Sequence, residues 1–347
     1  MGALTPQILL GLEDRMSIEI EREYARMTQN LWWQDVARVR PSTGRKEVIT
    51  WLLSTAMIRD LGKSAGNLAF DDLVSTYTEV ENRFAGTGLE LSKAQLEDTD
   101  GGGMDLAAQW SADVGAYMAY WPQKQVAHAL KNGHTASLYT AYDGKALFAT
   151  DHLVNPMDAA KGTFANLFTS TSSGAYPGAC PIDDSVTLDV ALQNLAKMVG
   201  YISTIKMPNG EDPRFLHPKF IVCSPRLYPR VAQLMEAKFL AMGAAGGGAG
   251  SADVEGLIRA LGYAKPVKAD ELAGYESDTS FFIVTEQASS SKLGGIIYQE
   301  RETFGIQMYG PQTQVELGRR QSFEWQVHGR NAVAAGHPYL IFKGKAA

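Results

Sequence analysis

Apolar positions recur at helical spacing in two stretches of the N-terminal half. Between residues 5 and 38, Ile8, Leu9, Leu12, Met16, Ile20, Tyr24 and Met27 share one side of a 3.6-residue turn, with charged residues between them. Thr5-Pro6 supplies a helix start, because a missing backbone donor is no loss in the first turn. The pattern predicts an amphipathic arm whose apolar side needs a partner. Farther on, Leu106, Trp110, Val114, Tyr117 and Trp121 line up on one face of a second helix, with Gln109, Ser111, Asp113 and Gln123 on the others. Pro122 removes a donor and crowds the turn before it, so a kink or a break is expected there. Val126, Ala127 and Leu130 resume the apolar face until Gly133 offers a C-terminal stop. About thirty residues at 1.5 Å each make a rod of about 45 Å, long enough to carry other elements and neighbouring subunits.

Period-two alternation marks the strands. Residues 47–53 are strand-like, Asp60-Leu61-Gly62 breaks the chain, and from 72 to 84 Val74, Thr76, Thr78 and Val80 alternate with Ser75, Tyr77, Glu79 and Glu81. The two runs predict an extended hairpin. Glu97-Asp98-Thr99-Asp100 with Gly101-Gly102-Gly103 reads as a flexible acidic hinge into the long helix. Residues 157–186, rich in Ser, Thr, Gly, Ala and Pro, read as a loop rather than a core element. Helices are expected near 187–204 and 225–240, the latter opened by Ser224-Pro225. Strands are expected near 218–223, 265–268, 280–285, 294–309, 313–330 and 338–343. Helices and strands mix without regular βαβ alternation, which makes the class α+β.

Composition narrows the partners. The 347 residues, 45% hydrophobic and 20% charged, suffice for two or three substructures with real cores. A formal net charge of −6 argues against a protein that grips nucleic acid by its phosphates, and Gly318-Arg319-Arg320 is the longest basic group. Cys180 and Cys223 belong to no CxxC pair, which removes support for structural zinc or thioredoxin chemistry. Cys223, inside Phe220-Ile221-Val222-Cys223, is expected to be a core thiol. Met1 to Leu10 has no positive n-region, and no 18-residue apolar run occurs, so the expectation is a cytoplasmically made chain without export signal or membrane span.

The remaining motifs resolve into structural readings. Gly243 to Gly250 lacks the preceding strand and following Lys-Ser or Lys-Thr of a phosphate loop and is expected to be a surface loop. Asp98-Thr99-Asp100-Gly101 starts like a calcium loop but lacks the third ligand and the distal glutamate. Asp151-His152 is the most tempting catalytic pair. Adjacent residues rarely point at one another, no Gly-x-Ser-x-Gly elbow accompanies them, and His128, His134, His217, His328 and His337 are scattered. A turn-capping role is expected for them. Six tryptophans and fourteen tyrosines without an interleaved basic stripe suit core and interface anchors rather than base stacking. No catalytic, cofactor-binding or metal-binding residues are assigned.

Tyr142-Asp143-Gly144-Lys145-Ala146-Leu147-Phe148-Ala149-Thr150-Asp151-His152 after a long helix resembles the major head subunit of Mu-like bacteriophages. Thr5-Pro6, Thr50-Trp51-Leu52, Arg59-Asp60-Leu61 and Leu91-Ser92-Lys93 through Asp98 extend the likeness over residues 1–160, and beyond them it is topological. Each motif is short; their order and spacing carry the resemblance. Leu153 stands where that family often has proline, and the 243–250 loop is not a family hallmark. The resemblance implies the Hong Kong 97-like capsid fold, with an N-terminal arm (1–40), an extended loop (41–95), a peripheral domain with a long spine helix (96–180 and 294–347) and an axial domain (181–293). It implies a non-catalytic structural protein that self-assembles through pentamers and hexamers into the icosahedral head of a tailed phage. Such a shell encloses double-stranded DNA without sequence-specific binding, works with portal and decoration proteins, and resides in the virion after assembly in the host cytoplasm. With no long acidic or coiled-coil extension at its start, the chain is expected to use a separate scaffolding protein. The alternatives are an encapsulin-like compartment shell and a hydrolase using Asp151 and His152.

Overall fold

The computed structural model describes residues 6–53, 74–97, 102–169, 178–236, 239–242, 250–253, 264–287, 294–309 and 321–345. Its helices are α1 (Pro6–Thr28), α2 (Trp33–Val36), α3 (Lys93–Glu97), α4 (Gly102–Asn132), α5 (Leu188–Ser203) and α6 (Tyr228–Glu236). In the first half the strands are β1 (Ala37–Pro41), β2 (Lys46–Leu53), β3 (Val74–Glu81), β4 (Arg83–Ser92), β5 (His152–Leu153), β6 (Thr163–Phe164) and β7 (Leu167–Phe168). There follow β8 (Leu216–Cys223), β9 (Phe239–Met242), β10 (Gly250–Asp253), β11 (Lys265–Lys268), β12 (Phe281–Gln287), β13 (Ile296–Tyr309), β14 (Ser322–Ala335) and β15 (Ile341–Gly344).

Two sheets organise the body. In the first, β11-β8-β12-β15-β7, the parallel pairs are β11 with β8 and β15 with β7, and the rest are antiparallel. Its central strands are apolar at consecutive positions because both faces are covered. Ile221, Cys223, Phe281, Ile283 and Phe342 join the core under α5 and α6, while Phe220, Val222, Phe282, Val284 and Ile341 join the one containing Val126, Ala127 and Leu130 of α4. The second sheet, β1-β13-β14-β4, turns Phe323, Trp325 and Val327 of β14 toward α1 and α4, where they meet Leu12, Met16, Ile20, Ala107, Val114 and Met118. The helix α4 thus lies across both sheets.

The apolar side of α1 finds its partner within the chain, on α4. This changes the picture of an arm waiting for a neighbour. The two helices meet where Gly115 faces α1: a Cβ there would stand 2.5 Å from the Ile20 carbonyl oxygen, so glycine is what the approach requires. The buried face of α4 is Ala107, Ser111, Val114, Gly115 and Met118, whereas Leu106 is 59% and Tyr117 49% exposed. The expected stripe was therefore rotated by about one residue, roughly 100° around the helix. Small residues let a second helix come close, and hydropathy does not flag them. Ser111 satisfies its hydroxyl by donating to the Ala107 carbonyl at 2.7 Å. The helix also runs unbroken through Pro122 and stops at Asn132, before Gly133, whose missing Cβ makes room for the Phe148 ring.

Three other expectations change. Within residues 157–186, β6 and β7 form, and Phe164, Ala165, Asn166 and Phe168 are buried. The cause is Asn166, whose amide nitrogen faces the carbonyls of Leu147, Pro338 and Ile341 at 2.7, 2.9 and 3.2 Å while its oxygen accepts from the Ala149 amide at 2.9 Å. One polar side chain thereby satisfies four backbone groups from two segments, around Leu147 and around Pro338. The helix expected over 225–240 ends at Glu236, and β9 follows, antiparallel to β10. Gln123, assigned to a polar face, is buried, accepting from the Trp32 amide at 3.0 Å and donating to Glu271 at 2.7 Å. The acidic hinge at 98–101 and the glycine-rich run at 243–249 lie outside the described residues.

Candidate functional site

Asp151 and His152 do not form a dyad. Asp151 turns outward and ion-pairs with Lys145 at 2.7 Å. His152 turns inward, with Nδ1 2.9 Å from Asp143 Oδ2 and Nε2 3.2 Å from the Leu147 carbonyl, its ring stacked on Phe164. Both Asp143 and His152 side chains are fully buried. Asp143 also accepts from the amides of Leu153 and Lys145 at 3.1 and 3.2 Å. Burial works to raise its pKa, but the bonds from His152 and the two amides prevail and hold the carboxyl below its ordinary range. The pair is a strut that closes the 142–153 turn, with neither side chain in contact with solvent.

The hairpin and its root are the more distinctive geometry. β2 and β3 pair in register from Lys46↔Glu81 to Leu53↔Val74 and, among the described residues, form a sheet of two strands. An isolated two-stranded ribbon is marginal on its own. Ile49 and Val80 pack into the body, but Val48 is 49% and Tyr77 70% exposed. Where the hairpin leaves the body, Asn82 Nδ2 donates to Ser42 Oγ at 2.8 Å and to the Gly44 carbonyl at 2.9 Å, and its Oδ1 accepts from Gln299 at 2.9 Å. Glu47 accepts from the Gly44 amide at 2.7 Å, the Thr43 amide at 2.8 Å and Ser42 Oγ at 2.9 Å; these bonds, in that order, depress its pKa. The root is therefore a polar clasp that ties the turn before β2, the end of β3 and β13 together.

Other candidates are structural. Cys180 and Cys223 are both buried and free; burial raises the pKa of each thiol, Cys223 to about 12, so both remain protonated. Cys223 is the core thiol expected. His128 meets Tyr139 Oη at 2.8 Å, His328 lies 3.6 Å from Glu302, and His337 is packed beside Tyr339. Among the described residues no group of three or more His, Cys, Asp or Glu could hold a metal ion, and no helix is long and apolar enough to cross a membrane.

A ribbon that projects from a clasped root, and a long helix carried beneath two sheets, suit a subunit that interlocks with copies of itself. The profile of the Mu-like prophage major head subunit gpT matches residues 14–177. The match covers just under half of the chain and includes most of α1, the β2–β3 hairpin and α4. Among solved structures, the cyanophage P-SCSP1u capsid aligns at a TM-score of 0.54 and 12% identity, over 91% of this chain and 88% of that one. The chain thus has the Hong Kong 97-like capsid fold. The procapsid of bacteriophage JBD30 aligns at a TM-score of 0.48 and 16% identity, over 99% of this chain and 77% of that one. The mature capsid of PhiM1 aligns at 0.48 and 11%, over 92% and 87%. No curated protein matches the chain. The profile spans the 142–152 turn that carried the resemblance, and within it the buried partner of His152 is Asp143 rather than its sequence neighbour Asp151.

Sequence reasoning missed the clasp residues Ser42, Glu47, Asn82 and Gln299. Their only common signal is a polar residue interrupting a strand pattern, and they converge from three segments far apart in the chain.

Proposed function

We propose that this chain is a Mu-like major head subunit that builds a closed icosahedral shell around double-stranded DNA, with the β2–β3 hairpin laid over a neighbouring copy. The observation that carries this is the ribbon itself: two strands with no third partner among the described residues and with Val48 and Tyr77 left open to solvent. Repeated contacts of modest size, closed by symmetry, stabilise such a projection where a monomer cannot. In this reading residues 1–40 form an arm held on α4, 41–95 the extended loop, 96–180 with 294–347 the peripheral domain with α4 as its spine, and 181–293 the axial domain. Pentamers and hexamers are the building units, a separate scaffolding protein guides their curvature, and portal and decoration proteins complete the head. Negative-stain electron microscopy of the purified chain, with sedimentation alongside, is the test. Shells, tubes or rings of five or six support the reading; a homogeneous monomer or dimer at high concentration and under crowding overturns it.

A further inference from the structure

We propose that the arginine-lined hollow at the hairpin root is a carboxylate socket for a second copy of this chain, an inference that rests on the shell reading above. The hollow measures about 590 Å³ and is walled by Arg45, Arg83, Arg301 and Arg330, with Glu81 and Phe84 beside them. Its four guanidinium groups arrive from four separate places: the turn before β2, the first residue of β4, β13 and β14. Because they are spread along the sequence from 45 to 330, no basic run betrays them.

Two of the four are already matched. Arg45 Nε meets Glu81 at 2.9 Å. Arg330 has Glu302 at 3.2 Å and lies 3.7 Å over the Phe84 ring, which fixes its plane. Among the described residues, Arg83 and Arg301 meet no carboxylate within 4.0 Å. Arg301 is also the extra residue of a bulge: Glu300 pairs with Asn331 and Glu302 with Arg330, so two steps on β13 face one on β14. Bulges of this kind re-aim a side chain out of the ladder, here toward the hollow. The clasp of Asn82, which also walls the hollow, anchors the chain immediately before Arg83. Like charges gathered on fixed backbone repel one another, and a planar fork left open is the geometry that takes a carboxylate through two parallel bonds.

The chemistry favours a protein carboxylate over a nucleic-acid backbone. A duplex held by its phosphates needs a row of cations along its path. This hollow is a single concavity that already contains Glu81 with Glu302 at its edge, and both repel a run of phosphates. The chain carries a net charge of −6, and setting these four arginines aside leaves the remainder more acidic still. The surface of another copy is therefore the abundant source of carboxylates wherever subunits touch. The hollow also sits where the hairpin leaves the body, so a neighbour lying against the hairpin comes within its reach.

The test compares the wild-type chain with an Arg83→Glu/Arg301→Glu variant and, as a control remote from the hollow, Arg226→Glu. Circular dichroism and thermal melting report folding; electron microscopy and sedimentation report assembly. The double reversal is expected to melt as the wild type does yet give at least tenfold fewer shells, while the control assembles normally. Since a double reversal can also fail to fold, a second variant, Arg83→Lys/Arg301→Lys, is coupled with a zero-length carbodiimide in mixed light and heavy isotope-labelled assemblies. Peptides joined from the hollow to a carboxylate of the differently labelled copy support the socket. Joins confined to one copy, or full shell yield from the folded double reversal, overturn it. Binding of a 30-base-pair duplex that disappears with the double reversal would assign the hollow to nucleic acid instead. If the wild type itself forms no assembly, the shell reading fails first and the socket with it; if the wild type assembles and the reversal does too, only the socket fails.

Discussion

The Asp143–His152 strut shows how a catalytic-looking residue is put to structural use. Removing one member strands the other in a sealed site, and a buried charge without its partner is costly. His152→Ala is expected to destabilise the subunit by about 3 kcal/mol in chemical denaturation; a change under about 0.5 kcal/mol would mean that the turn holds without it. His337 offers a pH signature. Burial, and the Arg214 guanidinium near it, push its imidazole from 6.5 down to about 3. The unfolded chain then takes up a proton below about 6.5 that the folded chain refuses until about 3, so stability falls as pH drops across that window, by up to about 1.4 kcal/mol per unit. In denaturation series from pH 7 to 4, His337→Phe is expected to flatten that slope; an unchanged slope would place its origin in other groups.

At the scale of elements, the contact between α1 and α4 depends on a residue with no side chain. Since a Cβ on Gly115 meets the Ile20 backbone at 2.5 Å, Gly115→Val must lift α1 from α4. The expected cost is about 1–3 kcal/mol, read as a lower melting temperature together with earlier protease cleavage within 6–28. Unchanged cleavage would show that the helices tolerate separation there. Hydropathy alone aimed α4 by its large residues, and the structure kept Val114 inside while turning two of them, Leu106 and Tyr117, outward. Leu106 and Tyr117 stand in solvent because Ala107, Ser111 and Gly115 allow the closer approach.

At the scale of the molecule, a projecting two-stranded ribbon gains its stability from what it lies against. Assembly binds the native subunit and not the unfolded chain, so the melting temperature should rise with protein concentration and be higher in the assembled fraction. Calorimetry of the assembled and unassembled fractions from one preparation checks this. Equal melting temperatures would mean that subunit contacts add nothing to the fold.

Local periodicity by itself determined the long helix from 102 to 132, the paired runs that became β2 and β3, the strands β8, β11, β12 and β13, and the α+β class. These follow from apolar spacing and turn chemistry within a few residues, which sequence displays directly. Only tertiary structure decided which face of α4 is inward, that α1 closes on its own chain, and that Asn166 draws residues 163–168 into the core. It also decided that His152 answers to Asp143, and that four arginines from distant segments share one hollow. All but the Asp143–His152 pair, which a local turn brings together across nine residues, depend on pairing between backbone segments remote in the chain, where small residues, single amides and a one-residue bulge set the geometry. Their physical weight is spatial, so it leaves no periodic mark in the sequence.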